Sequence, residues 1–108
     1  MKERKVVAEI SVVPLGTGRA GVSEYVAACI EVLNRKKGVI FQLTPMGTIV
    51  EGTLDEILDI VKEMHNVPFQ KGALRVVTTL KIDDRCDKKM SMEGKLKSVR
   101  TILPSVKL

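Results

Sequence analysis

Apolar and polar positions change their spacing several times along this chain, and each change predicts a new element. Residues 5–13 are rich in β-branched side chains and run into Pro14, which predicts a first strand that ends there. Apolar residues then recur every three or four positions, which predicts a helix. They are Val22, Val26, Cys29, Ile30 and Leu33. Residues 39–43 and 48–51 favour two more strands, joined by residues 44–47 as a tight antiparallel hairpin.

A second helix is predicted directly after this hairpin. Thr53 and Glu56 have the spacing of a capping box, in which each side chain binds the backbone amide of the other residue. The apolar face that follows has helical spacing. It contains Leu54, Ile57, Leu58, Val61 and Met64. Asn66 and Pro68 predict the end of this helix.

The last third of the chain predicts one more strand and a terminal helix. Residues 73–82 alternate between apolar and polar side chains, and Ser91 is a suitable N-cap for a helix that Pro104 ends. The resulting order, βαββαβ plus a helix, predicts an α+β fold of the ferredoxin-like type. We expect one domain over residues 1–108, with a four-stranded antiparallel sheet, two helices on one face and an additional C-terminal helix.

The second face of this sheet is predicted to be too apolar for water alone. Polar residues alternate there with aliphatic ones, so neither solvent nor a fully apolar cover suits the whole surface. The polar set includes Glu9, Ser11, Gln42, Thr44, Arg75 and Thr79. Self-association through this face into a homodimer or homotetramer is the simplest solution. A small hydrogen-bonding ligand is an alternative, as are polar contacts across subunits or ordered water.

Composition and charge argue against several classes of function, although a general attraction for anions stays open. Only three of the 108 residues are aromatic and the charge of +5 is spread along the chain, which favours a solvated surface over a nucleic-acid or phosphate-binding surface. No apolar segment approaches the roughly 20 residues that cross a bilayer, so we expect no membrane partner and a cytoplasmic location. Cys29 and Cys86 suit neither a zinc site nor a disulfide scaffold.

Other motifs also favour the simpler interpretation. Asp83, Asp84 and Asp87 surround an arginine, and their spacing favours a charged loop over a metal site. The glycine pattern of residues 16–21 follows a strand, but the chain lacks the rest of a dinucleotide-binding domain. His65 has no second histidine or cysteine at ligand spacing, which favours a position on the flank of a helix.

Three segments of the chain together resemble the thiamine-binding, YkoF-like family. They are residues 7–17 (VAEISVVPLGT), 43–52 (LTPMGTIVEG) and 75–85 (RVVTTLKIDDR). The resemblance spans nearly the whole domain. It implies a ferredoxin-like fold, dimers or tetramers built through the sheets, and binding of thiamine or its hydroxymethylpyrimidine portion in some members. Cys86 departs from a usually polar or basic position, which puts a role for its loop in doubt.

The chemistry of such a ligand suggests which residues contact it. Hydroxyl and amide groups can bind the ring and its substituents, a glutamate can bind the aminopyrimidine or balance the thiazolium cation, and Met46 can pack on a ring. The complete candidate set is Glu9, Ser11, Gln42, Thr44, Met46, Thr48, Glu51 and Thr79. Threonines at positions such as Thr44 and Thr48 are more often strand residues or turn supports than ligand contacts. The hairpin register decides whether Thr48 or Glu51 faces the pocket, because a slip of one residue exchanges them.

Three functions remain open on the sequence alone. The favoured hypothesis is a non-catalytic small-molecule binding protein for thiamine or hydroxymethylpyrimidine that requires no cofactor and no metal. The alternative is a structural or regulatory homo-oligomer without this ligand. An enzyme is the third, because Glu9 and Glu51 have the chemistry of an acid and a base, but no further residue completes a mechanism.

Overall fold

Seven elements follow one another in the computed structural model, which describes residues 4–18 and 23–108. They are β1 (Lys5–Leu15), α1 (Ser23–Asn34), β2 (Ile40–Thr44), β3 (Gly47–Thr53), α2 (Leu54–Gln70), β4 (Arg75–Asp83) and α3 (Met92–Ile102). The strands form one sheet in the order β2-β3-β1-β4, with every neighbouring pair antiparallel. The predicted ferredoxin-like arrangement is therefore confirmed. Val22, which the sequence pattern assigns to the first helix, lies outside the described residues.

The main hydrophobic core lies between one face of the sheet and the helices α1 and α2. From β1, Val6, Ala8 and Ile10 point into this core and are almost completely buried. Val50 of β3 joins them because it lies directly opposite Ala8 in the antiparallel pair, and opposed residues share a face. This face of the sheet has the apolar alternation that packing against helices requires.

The sequence of α2 explains both where it starts and which side it buries. The predicted capping box is present: Glu56 N donates to Thr53 Oγ1 at 3.2 Å, and Thr53 N donates to Glu56 Oε1 at 2.9 Å. Ile57, Ile60 and Met64 follow at helical spacing and are buried against the sheet and α1. The cap thus sets the first turn of a helix whose buried face closes the core.

The predicted end of α2 at Asn66 and Pro68 is wrong, because the helix continues to Gln70. A proline removes the amide that would bind the carbonyl four residues earlier, which here is the carbonyl of Met64. The Cys29 thiol of α1 donates to that carbonyl at 3.5 Å in the buried interface. Since the freed acceptor has another donor, Pro68 is tolerated in the last helical turn.

The predicted end of β1 before Pro14 is also wrong, because the strand continues to Leu15. Residues 7–10 of β1 have a partner strand on both sides, but residues 11–15 pair only with β4. Pro14 therefore lies in a part of β1 that is an edge of the sheet, where a proline needs no second ladder hydrogen bond.

The terminal helix α3 lies against the sheet face that α1 and α2 leave free. Its predicted N-cap is confirmed, since Gly94 N donates to Ser91 Oγ at 2.9 Å. Unlike α1 and α2, α3 contains no buried residue. None of the helices within the described ranges is long and apolar enough to span a membrane.

Candidate functional site

The sheet register determines the face of each candidate residue. Ser11 lies opposite Thr79, and Gln42 lies opposite Ile49. Ile49 in turn lies opposite Glu9, which is two residues from Ser11 along β1. All these side chains therefore share one face of the sheet, the face that α3 approaches. We call this the open face. Six of the candidate residues belong to it: Glu9, Ser11, Gln42, Thr44, Glu51 and Thr79. Met46 lies in the hairpin turn and is 84% exposed.

The register also distinguishes Thr48 from Glu51. Thr48 pairs with Ile10 and is buried on the helix-covered face, whereas Glu51 pairs with Val7 on the open face. The sequence left this choice undecided, because one residue of slip exchanges the two faces. Only Glu51 of this pair can therefore belong to a site on the open face.

An open cavity of about 590 Å³ lies between the open face and the start of α3. We call it the sheet cavity. Its apolar surface comes from Val7 and Ile49 on the sheet side and from Met92 and Leu96 on the helix side. Its polar groups are Glu9, Gln42, Lys81, Asp83 and Lys95. An apolar interior with a few convergent polar groups is typical of a small-molecule site, and the volume lies within the roughly 300–1,000 Å³ of such sites.

Two pairs of opposite charges border this cavity. Lys81 Nζ lies 3.7 Å from Glu9 Oε1 across the β1–β4 pair, and Lys95 Nζ of α3 lies 2.5 Å from Asp83 Oδ2. All four side chains are at least 40% exposed. Exposed ion pairs contribute little to stability, so these groups can exchange partners for a ligand at small cost.

Glu51 connects the open face to α3. Its side chain is 7% exposed, and Oε1 accepts a hydrogen bond of 2.8 Å from Met92 N at the first helical residue. A carboxylate at this position accepts a hydrogen bond from an amide that has no acceptor within the helix. Its negative charge also interacts favourably with the positive end of the helix dipole. Glu51 thus holds the helix that covers the sheet cavity; a direct contact between Glu51 and a ligand stays a prediction.

The Thr44 side chain supports the hairpin turn. Its hydroxyl donates to Gly47 O at 2.9 Å and accepts from Gly47 N at 3.2 Å. Gly47 itself passes close to β1, where an added Cβ would lie 3.2 Å from Ile10 O. The turn therefore uses the Thr44 hydroxyl, and β1 leaves little room for a Cβ at Gly47.

The remaining candidates do not join the sheet cavity. Ser11, Thr44, Met46 and Thr48 line a separate cavity of about 350 Å³ at the hairpin end of the sheet, together with Cys29. Burial raises the pKa of the Cys29 thiol, which keeps it protonated. Thr79 lines neither of these two cavities. The structure thus brings Glu9 and Gln42 together and separates them from the hydroxyl residues.

Several residues of the sheet cavity were not predicted from the sequence as site residues. Among them are Lys81, Asp83, Met92, Lys95 and Leu96 of β4 and α3. Strand alternation places Lys81 and Asp83 on the same face as Thr79, and helical spacing places Met92, Lys95 and Leu96 together on α3. These local signals were present in the sequence. The packing of α3 onto the open face was not, because no local pattern specifies which surface an amphipathic helix covers.

The acidic residues at the end of β4 form ion pairs with cations. Arg4 holds Asp84 through two hydrogen bonds, Lys95 pairs with Asp83, and Arg85 makes two hydrogen bonds to Asp87. The hydrogen bonds from Arg85 lower the pKa of Asp87 from 3.8 to about 2. Within residues 4–18 and 23–108, no group of three or more histidine, cysteine or acidic side chains could hold a metal ion.

His65 packs on the flank of α2. Its Nδ1 lies 2.7 Å from Thr78 Oγ1 of β4, and its ring meets Phe69 edge-on at 5.6 Å between centroids. These contacts lie on the helix-covered side of the sheet and join α2 to β4, away from the sheet cavity.

Comparison with known proteins identifies the family. The model of a family described as thiamine-binding protein matches residues 8–100. The chain belongs to this thiamine-binding protein family. It is 49% identical over 96 residues to UPF0045 protein MJ1052 of Methanocaldococcus jannaschii, covering 89% of this chain and 93% of that one. It is 43% identical over 96 residues to UPF0045 protein YqgV of Bacillus subtilis, covering 86% and 92% of the two chains.

Solved structures of similar proteins share the fold. The crystal structure of MJ1052 matches with a TM-score of 0.81 at 48% identity and covers 89% of this chain and 96% of that chain. A Thermotoga maritima protein, described as a candidate thiamine biosynthesis or salvage protein, matches with a TM-score of 0.73 at 31% identity. That match covers 89% of this chain and 99% of the other. None of these names states a catalytic activity.

Proposed function

We propose that this member of the thiamine-binding protein family is a non-catalytic binding protein for thiamine or its hydroxymethylpyrimidine portion. In this proposal it acts in the cytoplasm without a resident cofactor, and the ligand occupies the sheet cavity. The observation that carries the proposal is the combination, in one cavity of about 590 Å³, of apolar walls with Glu9 and Gln42. The family description is consistent with it.

The shape and polarity of the cavity suit a flat, hydrogen-bonding ring. Val7 and Ile49 offer an apolar surface to one side of a pyrimidine, and Leu96 of α3 can contact the other. Burial of ring surface between apolar side chains favours binding by about 25 cal/mol for each Å² removed from water. A ring without polar edges would gain the same energy, so the polar residues must supply the specificity.

Glu9 and Gln42 provide complementary hydrogen-bonding groups for an aminopyrimidine. A carboxylate accepts from an exocyclic amine, and an amide both donates to a ring nitrogen and accepts from an amine. Asp83 supplies a second carboxylate that can balance a thiazolium cation when Lys95 moves aside.

Non-catalytic binding is supported by the side chains that border the cavity. Among residues 4–18 and 23–108, the cavity lining contributes carboxylates, lysines and an amide, but no hydroxyl, thiol or imidazole group that could act as a nucleophile. Its carboxylates are paired with lysines rather than with each other. These groups suit recognition of a ligand more directly than its conversion.

Calorimetry with thiamine and hydroxymethylpyrimidine tests this function. The wild-type protein is expected to bind at least one of the two ligands. Glu9→Gln is expected to weaken binding by about 10- to 100-fold, which corresponds to the free energy that a hydrogen bond to a charged group contributes. Glu63→Gln is a matched control, because Glu63 is also paired with a lysine but lies on α2. No detectable binding of either ligand at millimolar concentration would contradict the proposal.

Two further variants distinguish the candidate residues inside the sheet cavity from those outside it. Thr79→Val removes a hydroxyl from the open face outside the sheet cavity, so the variant should bind the ligand with the same affinity as the wild type. Gln42→Leu, which removes an amide inside the cavity, should weaken binding by about tenfold. If Thr79→Val weakened binding and Gln42→Leu did not, the ligand site would lie further along the sheet, away from α3.

A structural or regulatory homo-oligomer is the second candidate, and one surface favours it. Beyond the part that α3 covers, the open face exposes Val13, Leu15 and Val77 at 38%, 37% and 45%. Val13 lies opposite Val77 in the β1–β4 pair, so the three form one apolar patch. A second copy of the chain could cover this patch by an isologous contact.

Sedimentation of wild type and Val13→Asn/Val77→Asn distinguishes the two functions. If the patch forms a subunit contact, the wild type should sediment as a dimer or tetramer and the variant as a smaller species. Retained ligand binding in the dissociated variant would favour the binding function, whereas no ligand binding in either protein would favour the oligomer. A monomeric wild type would contradict the oligomer.

A further inference from the structure

A cavity smaller than the two described above, of about 210 Å³, borders the segment that connects β4 to α3. We call it the basic pocket, because its lining includes Arg85, Lys88, Lys89 and Lys95. Lys95 lines both this pocket and the sheet cavity. A ligand in the sheet cavity that extends past Lys95 would therefore meet three further cations.

The carboxylates near the basic pocket do not neutralise it. Asp87 pairs with Arg85, and Asp83 pairs with Lys95. Lys88 lies near enough to Asp87 to contribute to its low pKa, but neither Lys88 nor Lys89 forms an ion pair with any part of the chain that the structure describes. Four cations thus face two carboxylates, which leaves an excess of two positive charges.

The position of these lysines has no explanation in helix stability. Cations stabilise a helix near its C-terminal end, whereas Lys88 and Lys89 precede the first residue of α3. Two of the first amides of α3 are already engaged, since Met92 N donates to Glu51 and Gly94 N donates to Ser91. An anion in the basic pocket would be held by the cationic side chains.

We propose that the basic pocket binds the phosphate of a ligand whose ring lies in the sheet cavity. The preferred ligand class is then a phosphate monoester of hydroxymethylpyrimidine or thiamine rather than the free alcohol. A phosphate has a charge near −2 at neutral pH and matches the planar fork of Arg85. It would displace Asp87 and Asp83 from exposed ion pairs, which costs little. This inference rests on the proposed function of the sheet cavity.

Calorimetry at low salt, with each free alcohol, its phosphate monoester and inorganic phosphate alone, tests the inference. For the wild type, a monoester should bind at least about tenfold more tightly than its alcohol. In Lys88→Gln/Lys89→Gln, the monoester should lose this advantage while the affinity for the alcohol stays the same. Added salt should weaken the monoester more than the alcohol, because the additional contacts are between exposed charges.

A matched control removes the same amount of charge from α3. Lys97 and Arg100 line a different groove and neither of the two cavities, so Lys97→Gln/Arg100→Gln should retain the preference for the monoester. An equal loss in both double variants would contradict a localised phosphate site. Thermal unfolding of both variants verifies that they are folded, which is expected for substitutions of exposed side chains.

The remaining outcomes separate the two proposals. If the alcohols bind and the monoesters gain nothing, the phosphate site is wrong and the proposed function stands. If inorganic phosphate binds as tightly as a monoester, the basic pocket does not share a ligand with the sheet cavity, which also contradicts the inference. If neither alcohol nor monoester binds, both proposals are wrong.

Discussion

The two faces of the sheet are covered by helices in different ways. On one face, α1 and α2 bury a continuous apolar core that includes Ile10 and Ile57. On the other, α3 covers only one end, has no buried residue and leaves a cavity beneath it. A face that is fully packed stabilises the fold, whereas a face that is incompletely packed can accept a ligand. We therefore expect stability to come mainly from the packed face, and the proposed ligand site lies on the other face.

Truncation of one apolar residue on each side of the sheet tests this comparison and should give the largest change in the free energy of unfolding. Ile57→Ala, at a completely buried position, should lower the free energy of unfolding by about 2–5 kcal/mol, because it removes transfer energy and leaves a cavity. Leu96→Ala, at a position that is 42% exposed, should cost less than about 1.5 kcal/mol. Denaturation by urea measures both. Equal losses would show that α3 is as much a part of the core as α2.

The hydrogen bond between Glu51 and α3 should have the next largest effect. Glu51→Ala leaves the Met92 amide without its acceptor and should lower the free energy of unfolding by about 1–3 kcal/mol. Hydrogen exchange should become faster at the start of α3 and stay unchanged in α2. Glu51→Gln, which keeps an acceptor, should lie between the wild type and the alanine variant. Unchanged exchange in α3 would mean that other contacts hold this helix.

Coupling between Cys29 and Pro68 tests the packed side in finer detail. Cys29→Ala removes the donor to Met64 O, but Pro68→Ala would supply a new helical amide to the same carbonyl. The cost of Cys29→Ala should therefore be smaller in the Pro68→Ala background, by about 0.5–1 kcal/mol in a double-mutant cycle. Additive costs would indicate that the thiol contributes only through packing.

The smallest expected effect is the loss of stability at low pH that comes from the charged segment after β4. Because Arg85 lowers the pKa of Asp87 from 3.8 to about 2, this pair stabilises the fold above about pH 4. The stabilisation is lost as pH falls towards 2, when the carboxylate becomes protonated in the folded state as well. The stability difference between wild type and Asp87→Asn should shrink over this range in thermal unfolding. Arg85→Gln should show the same change, and a constant difference would contradict the assignment.

Local patterns predicted most of the fold but only part of the candidate site. The capping box of Thr53 and Glu56 and the N-cap at Ser91 were predictable because each depends on residues three positions apart. The ends of β1 and α2 were not. Pro14 is tolerated because β3 does not extend beside it, and Pro68 because Cys29 lies against Met64. Both reasons are contacts between distant parts of the chain.

The sequence by itself determined the order of strands and helices, and with it the ferredoxin-like sheet, because alternation, helical spacing and caps are local properties. It also placed Glu9 and Gln42 among the candidate residues. Only the tertiary structure decided that Glu51, and not Thr48, lies on the open face, and that Lys81 and Lys95 border the sheet cavity. The register and the docking of α3 depend on partners such as Glu51 and Met92, 41 positions apart, which no local pattern specifies.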